Sequence, residues 1–305
     1  MSWSEDRLHR WLARRPAPAG LAGDTGHDAA VLVAVPGRDV ICVDQVIEGV
    51  HVKAGESARR VGAKAACRAL SDLAATAARP RALLVALRAP RSTGEARLRA
   101  LLAAVDGTGT QYGAPLVGGD LACAPGPLSL AITALGTIAA SGRPLSRARA
   151  RAGQVVVLTG PVGGSALGRH LRIRPRLEEG RWLAECGATA MMDVSDGLAW
   201  DLYRLARRAG VHIDLEQVPV HRDARRAARK SGRDASDHAL HDGEDHELLA
   251  TLPRRALKRV LAEAPLRCPH LVVVGRVTLG RGLRVPGDGG LRSWQPGSGG
   301  WRHGN

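Results

Sequence analysis

The chain has 305 residues, 45% of them hydrophobic and 24% charged, with a formal net charge of +15. That length can bury a full core and suits two ordinary domains, and the composition excludes extensive disorder. No apolar run is long enough to span a membrane, and residues 1–15 mix Glu5 and Asp6 with bases around no continuous apolar segment; neither a signal peptide nor a membrane partner is expected, and the setting expected is cytoplasmic. Nucleic acid is not the expected partner either, because the arginines are scattered and aromatic residues, which would stack on bases, make up only 3%. A basic surface would still attract anionic metabolites. Cys42, Cys67, Cys123, Cys186 and Cys268 form no C-x-x-C pair, which argues against structural zinc or a disulfide framework; they read as small buried apolar residues.

Residues 4–15 read as a short amphipathic helix and 16–26 as a Pro/Gly-rich loop that delivers His27-Asp28. Residues 29–35 and 40–43 are β-type runs joined by Pro36-Gly37-Arg38-Asp39. This predicts a hairpin that brings Asp28 and Asp44 to the same end of a sheet. Carboxylates held that close are costly unless a cation compensates. After Glu48-Gly49-Val50-His51, a helix is predicted over 57–78, with Lys64 and Asp72 eight residues apart on roughly one face. They would point at one site or form a surface pair. A strand over 83–87, a helix over 94–105, a short strand over 115–117 ending in Gly118-Gly119-Asp120, and a long strand over 128–138 follow. The basic, Pro/Gly/Ser-containing stretch 139–153 marks a boundary between domains 1–145 and 146–305.

The second half opens with a strand over 155–159, then Gly160-Pro161-Val162-Gly163-Gly164-Ser165 leading into a helix. This loop is glycine-rich but lacks the Gly-Lys-Ser/Thr ending of a P-loop. A helix over 178–186 leads to Met191-Met192-Asp193-Val194-Ser195-Asp196-Gly197-Leu198, read as strand, turn and helix, with Asp193 at the strand exit and Ser195 suited to the N-cap. Such a junction serves as a plain helix cap or as a site for phosphate and Mg2+. The helix continues over 198–209 with Leu198, Leu202 and Leu205 on one face. A strand over 211–215, a basic helix over 221–230, the acidic loop His241-Asp242-Gly243-Glu244-Asp245-His246-Glu247, a strand over 248–252 and a last strand over 271–274 complete the pattern. Strands alternating with helices in both halves indicate α/β or α+β layering.

Asp28, Asp44, Asp72 and Asp120 in the first half, with Asp193 and Asp196 in the second, stand at expected element ends. Should they converge, they would hold several Mg2+ ions against nucleotide phosphates. The ordered motifs Gly26-His27-Asp28-Ala29-Ala30-Val31-Leu32, Val43-Asp44 through Gly49-Val50-His51, Ser71-Asp72-Leu73-Ala74-Ala75, Gly118-Gly119-Asp120, Asp193-Val194-Ser195-Asp196-Gly197-Leu198 and Gly243-Glu244-Asp245 resemble the thiamine-monophosphate kinases. The likeness runs from about Leu21 to Trp301 and takes in His170-Leu171-Arg172, Pro175-Arg176 and Gly300-Trp301-Arg302-His303.

The resemblance implies the two-domain fold of the aminoimidazole ribonucleotide synthetase superfamily, each domain a mixed sheet packed with helices. The N-terminal domain would pair with its twin in a homodimer and carry metal and ATP; the C-terminal domain would complete the site. It also implies an ATP-dependent transfer to thiamine phosphate, with Asp28, Asp44, Asp72, Asp120, Asp193 and Asp196 on Mg2+. Gly119, Asp120, Arg147 and Ser195 would contact ATP, and His51, Glu244 and Trp301 the thiamine substrate. Asp72, Asp196 and Arg147 would stand nearest the chemistry. The chain departs from the family at His27 (usually Asp), Cys42 (Ser), Val43 (Thr), Leu121-Ala122-Cys123 (Thr-Thr-Arg), His246 (Tyr) and Gly304 (Phe). Several of these changes remove oxygen donors, which backbone carbonyls or water would have to replace. Two other readings stay open from sequence: another ATP-dependent synthetase of the superfamily, and a catalytically weakened paralogue that binds nucleotide. His51 and Trp301 favour thiamine, since an aromatic face suits its cationic ring.

Overall fold

The computed structural model describes residues 4–16, 18–22, 29–140, 142 and 144–299. Asp28 and Trp301 lie outside the described residues. The chain divides into two compact units, one of Met1–Leu73 with Ala78–Gly142 and one of Ala74–Ala77 with Arg143–Asn305.

In the first unit the elements are α1 (Glu5–Ala13), β1 (Arg38–Ile47), α2 (Ala58–Ala75), β2 (Arg79–Ala89), α3 (Glu95–Gln111), β3 (Leu116–Cys123) and β4 (Ser129–Ile138). The strands form a four-stranded mixed sheet in the order β1-β4-β2-β3, antiparallel except for β2 with β3. Period-two patterning gives this sheet one covered and one open face. Leu83, Val85 and Leu87 of β2 and Leu130, Ile132 and Ala134 of β4 are buried, as are Leu98, Leu101, Leu102 and Val105 of α3. On the opposite face Ile41, Val43 and Leu84 stand exposed.

Two sequence expectations fail in this unit. Residues 29–35 make no strand; only Leu32 forms an isolated bridge, to Leu21, and Val31, Val33 and Val35 are exposed. The partner of β1 is the distant β4, whose alternating apolar side chains offer a longer buried seam than the local hairpin. Asp44 and the Gly118-Gly119-Asp120 triplet therefore lie inside β1 and β3, not beyond their ends.

In the second unit the elements are β5 (Val155–Leu158), α4 (Leu177–Glu185), β6 (Ala190–Asp193), α5 (Leu198–Ala209), β7 (His212–Leu215), α6 (Arg222–Ser231), α7 (Ala235–His241), β8 (Leu248–Leu252), α8 (Arg254–Arg267), β9 (Val272–Thr278), β10 (Gly282–Gly287) and β11 (Gly290–Trp294). Seven strands form a mixed sheet in the order β11-β10-β7-β9-β5-β8-β6, with β10 and β7 parallel. Leu198, Leu202 and Leu205 of α5 are buried against Met192, Leu249, Val274 and Trp294, as the sequence period predicts. Beyond β9, β10 and β11 pair as a hairpin that buries Leu283, Val285 and Trp294. The segment after Ser165 forms two short 3-10 turns in place of the expected helix. Of the cysteines, Cys67, Cys186 and Cys268 are buried as expected, but Cys42 is half-buried and Cys123 is exposed.

Helix α3 contains a paired test of this packing. Its Gly107 faces open space, whereas a Cβ on Gly109 would lie 2.1 Å from the Ala114 carbonyl oxygen. Gly107→Ala is expected to stabilise the fold by about 0.5–1 kcal/mol through helix propensity. Gly109→Ala is expected to destabilise it by about 2 kcal/mol or more, because backbone must move. Thermal unfolding of the two variants checks both signs.

Candidate active site

Strand β6 is buried along its length and ends at Asp193. Beyond it the backbone stays paired with the acidic loop: Val194 N–H donates to Glu247 O (2.8 Å), His246 N–H to Val194 O (2.8 Å) and Glu244 N–H to Ser195 O (2.7 Å). Asp193, Ser195 and Asp196 are thereby laid alongside Glu244, Asp245, His246 and Glu247. Close approach requires glycine at two places. A Cβ on Gly197 (φ +113°) would lie 3.0 Å from Leu240 O, and one on Gly243 (φ +71°) would lie 2.6 Å from Ser195 O.

Ser195 is not the N-cap of α5. Gly197 occupies that place, and no side chain caps there. Instead Asp201, four residues into the helix, reaches back so that Oδ2 accepts from the Ser195 and Asp196 N–H groups at 2.9 Å each. The sequence signal for it was available, since an acid in the first turn of a helix commonly returns to the preceding amides. Asp201 is fully buried, and burial, with Asp196 nearby, pushes its carboxyl up to about 8 against the pull of the Asp196 amide and Arg204. Arg204 donates to both Asp201 (3.3 Å) and Asp196.

The remaining acids of the loop are internal. The Asp245 side chain is wholly buried, and its Oδ1 accepts from Gly163 N–H (2.9 Å) and from Arg169 Nη2 (2.5 Å). Burial nevertheless raises it to about 6. Glu247 takes a fork from Arg176, at 2.9 Å to Nε and 2.5 Å to Nη2, and accepts from Thr159 Oγ1 at 2.6 Å. Glu244 is half-buried, with its Oε2 3.2 Å from His170 Nδ1. His246 donates through Nδ1 to Asp193 Oδ2 at 3.0 Å, and both side chains are buried. Arg147 lies on an exposed single turn, Arg147–Arg149, that packs against α5 and β6.

In the first unit, Asp44 points to the covered face and meets Arg68 of α2 at 3.1 Å. The register runs Asp44–Ile132–Val85–Gly119, so Asp120 lies one residue off that row and projects from the open face. Three interstrand steps separate β1 from β3, about 14 Å at roughly 4.8 Å each, so Asp44 and Asp120 of one chain do not converge. His51 accepts from Ile47 N–H through Nδ1 (3.0 Å), while its carbonyl accepts from Lys64 Nζ (2.6 Å). Lys64 is fully buried, so it is not half of a surface pair, and Asp72 on the same helix is half-buried.

Among the described residues no three His, Cys, Asp or Glu side chains stand close enough to hold a metal ion. The acids singled out from the sequence are nevertheless an all-oxygen donor set, and Mg2+ is commonly held by one or two carboxylates together with substrate phosphates. As hard oxygen donors they fit Mg2+, with substrate phosphates completing its coordination.

The Asp201 anchor gives a pH-dependent test. Its folded-state pKa of about 8 lies above the ordinary aspartate value of 3.8. The stability it contributes is therefore complete below about 3.8 and is lost as pH rises through about 8. Asp201→Asn keeps an acceptor for both amides, so it is expected to match wild type within about 1 kcal/mol at pH 6 and to lose less stability by pH 9. Asp201→Ala strands two amides and is expected to cost about 2–4 kcal/mol at both. Denaturant unfolding at the two pH values distinguishes these; parallel curves for wild type and Asp201→Asn would contradict the raised pKa.

Two family models match the chain: the N-terminal domain of AIR synthase related protein over residues 26–138, and its C-terminal domain over residues 132–288. The thiamine-monophosphate kinase of Rhodopirellula baltica is 38% identical over 237 residues, covering 73% of this chain and 74% of that protein. Among solved structures, thiamine-monophosphate kinase from Stenotrophomonas maltophilia K279a is 31% identical with a TM-score of 0.75, covering 93% of this chain and 96% of that one. AaThiL complexed with AMPPCP and TMP is 25% identical with a TM-score of 0.78, covering 98% and 95%. With its two mixed sheets, its acid-bearing turn after β6 and this match along most of its length, the chain belongs to the thiamine-monophosphate kinase family.

Proposed function

We propose that this chain transfers the γ-phosphoryl group of ATP to thiamine monophosphate in one in-line step, giving thiamine diphosphate and ADP. The observation that carries the reading is the match, over about three quarters of both chains, to a curated thiamine-monophosphate kinase, beside the likeness to AaThiL complexed with AMPPCP and TMP. The relatives favour this substrate over that of another synthetase of the superfamily.

The attacking oxygen belongs to a phosphate monoester whose second pKa is about 6, so it is largely ionised at neutral pH and needs no strong general base. What the protein must do is align two anions that repel each other and neutralise them. In this reading Arg147 neutralises phosphate charge, Ser195, Gly119 and Asp120 contact the nucleotide, and His51, Glu244 and Trp301 hold the thiamine moiety. Asp28, Asp44, Asp72, Asp120, Asp193 and Asp196 would hold Mg2+, which when bound supplies charge neutralisation on the phosphate oxygens. Arg68 and Arg204 already contact Asp44 and Asp196, which offsets the mutual repulsion of the acids and limits their rotamers.

A homodimer is part of the same reading, with the first domain serving dimerisation and metal binding and the second completing the site. Its support is the open sheet face, where Ile41, Val43 and Leu84 are 68%, 64% and 40% exposed. Asp120 lies on that face and would join the dimer surface, so Asp44 and Asp120 would serve different ions. Dependence on ATP and five cysteines that form no disulfide favour a cytoplasmic setting. No helix among the described residues is long and apolar enough to cross a membrane.

The purified chain with ATP, Mg2+ and thiamine monophosphate is expected to form thiamine diphosphate, and Asp72→Asn to lose about 100-fold or more in kcat with the fold retained by circular dichroism. Equal activity of the variant would remove Asp72 from the metal set. Binding of ATP without turnover by the wild type would establish the weakened paralogue instead. Separately, Val43→Asp is expected to turn a dimer into a monomer on light scattering; a wild type that is already monomeric contradicts the proposed interface.

A further inference from the structure

His246 concentrates two costs that a different residue at this turn would avoid. Its φ is +53°, in the left-handed region that a histidine rarely occupies. Its side chain is 1% exposed, and Nε2 is buried with no hydrogen-bond partner among the described residues. A left-handed backbone strains any residue with a Cβ, and a buried polar atom without a partner loses its hydration with no return. Glycine or asparagine would relieve the first, and any aliphatic side chain the second. The backbone pairing with Val194 runs through the His246 N–H and survives each of these replacements. What only the imidazole supplies is a rigid ring donor, Nδ1–H, 3.0 Å from Oδ2 of Asp193 at the exit of β6.

We propose that His246 is a positioning residue for Asp193: by donating from Nδ1 it fixes the plane of that carboxylate and so presents it to a divalent cation. This rests on the reading of Asp193 as a magnesium-holding residue. A carboxylate that ligates a metal loses affinity when it can rotate, and hydrogen bonds from outside the coordination sphere set its orientation. His246 also makes the acidic loop and the turn after β6 act as one piece, because side chain and backbone of the same residue bind Asp193 and Val194.

The test uses the full chain and Mn2+ alone, with free ion measured by electron paramagnetic resonance, beside steady-state kinetics in Mg2+. His246→Leu removes the donor at similar volume and is expected to weaken Mn2+ binding about 10-fold and raise the Mg2+ needed for half-maximal rate to match. Its KM for thiamine monophosphate is expected to stay within about twofold, since His246 is not itself among the proposed substrate contacts and the backbone pairing of the loop is kept. His246→Asn places an amide donor near the Nδ1 position and tolerates the left-handed backbone; it is expected to restore Mn2+ affinity to within about threefold of wild type. Asp193→Asn sets the scale and is expected to weaken Mn2+ at least as much as His246→Leu. If Asp193→Asn binds Mn2+ like wild type, Asp193 is not a metal residue and the proposal falls with that reading. If Asp193→Asn weakens binding while His246→Leu does not, the reading stands and the positioning role is overturned. Equal weakening by His246→Leu and His246→Asn, with equal loss of melting temperature, would reduce His246 to packing and also overturn it.

Discussion

The C-terminal unit depends on the backbone pairing that carries the β6/β8 ladder past the ends of both strands, from Asp193 toward Ser195 on one side and from Leu248 back to Glu244 on the other. Buried amides and carbonyls must be paired, and here each segment satisfies the other. That obligation locks an acid-bearing turn to an acid-bearing loop. The left-handed backbone at Gly243, Glu244 and His246 is a local cost of turning the loop sharply enough to stay in contact. The ladder and the buried side chains on either side of it offset that cost.

Packing so many carboxylates into one place is possible because each buried acid has a dedicated partner. Glu247 has the Arg176 fork and Thr159, Asp245 has Arg169 and the Gly163 amide, Asp201 has two amides and Arg204, and Asp193 has His246. Partners of this kind do not make a buried charge cheap, as the raised pKa values of Asp201 and Asp245 show. They make it specific, since a shift of the loop would break several charge-assisted bonds together. The two less buried acids, Asp196 and Glu244, hang from this frame with more of their side chains open to solvent. The same physics governs the first unit in milder form, where Asp44 is drawn to Arg68 on the covered face and Asp120 is left exposed on the open one.

Local chemistry was a good guide wherever an element satisfied itself. The span Leu198–Ala209 follows from a 3.6-residue apolar stripe ended by Gly210 in the left-handed region, and Leu248–Leu252 follows from a short apolar run after a turn. The ordered acid motifs were likewise legible, because residue type and spacing are properties of the chain. Reading failed where a segment had two available partners. Residues 29–35 had the period of a strand, yet β1 took β4, ninety residues on, and the apparent hairpin turn became the approach to β1. The β10/β11 hairpin was hidden by glycine and charge, since its burial comes from a few residues such as Leu283 and Trp294 placed against α5.

The class of fold, the family and the set of acids were all readable along the chain, because they depend on composition, order and spacing. Which partners those acids take came from the tertiary fold. Register, which flips every side chain with a one-residue shift, put Asp44 and Asp120 on opposite faces of their sheet. Long-range pairing made Asp201 rather than Ser195 the anchor of the turn before α5, and brought His246 onto Asp193 across fifty-three residues of chain. Those choices follow from the burial of polar groups, and the partner a buried polar group finds depends on which segments the whole fold brings beside it.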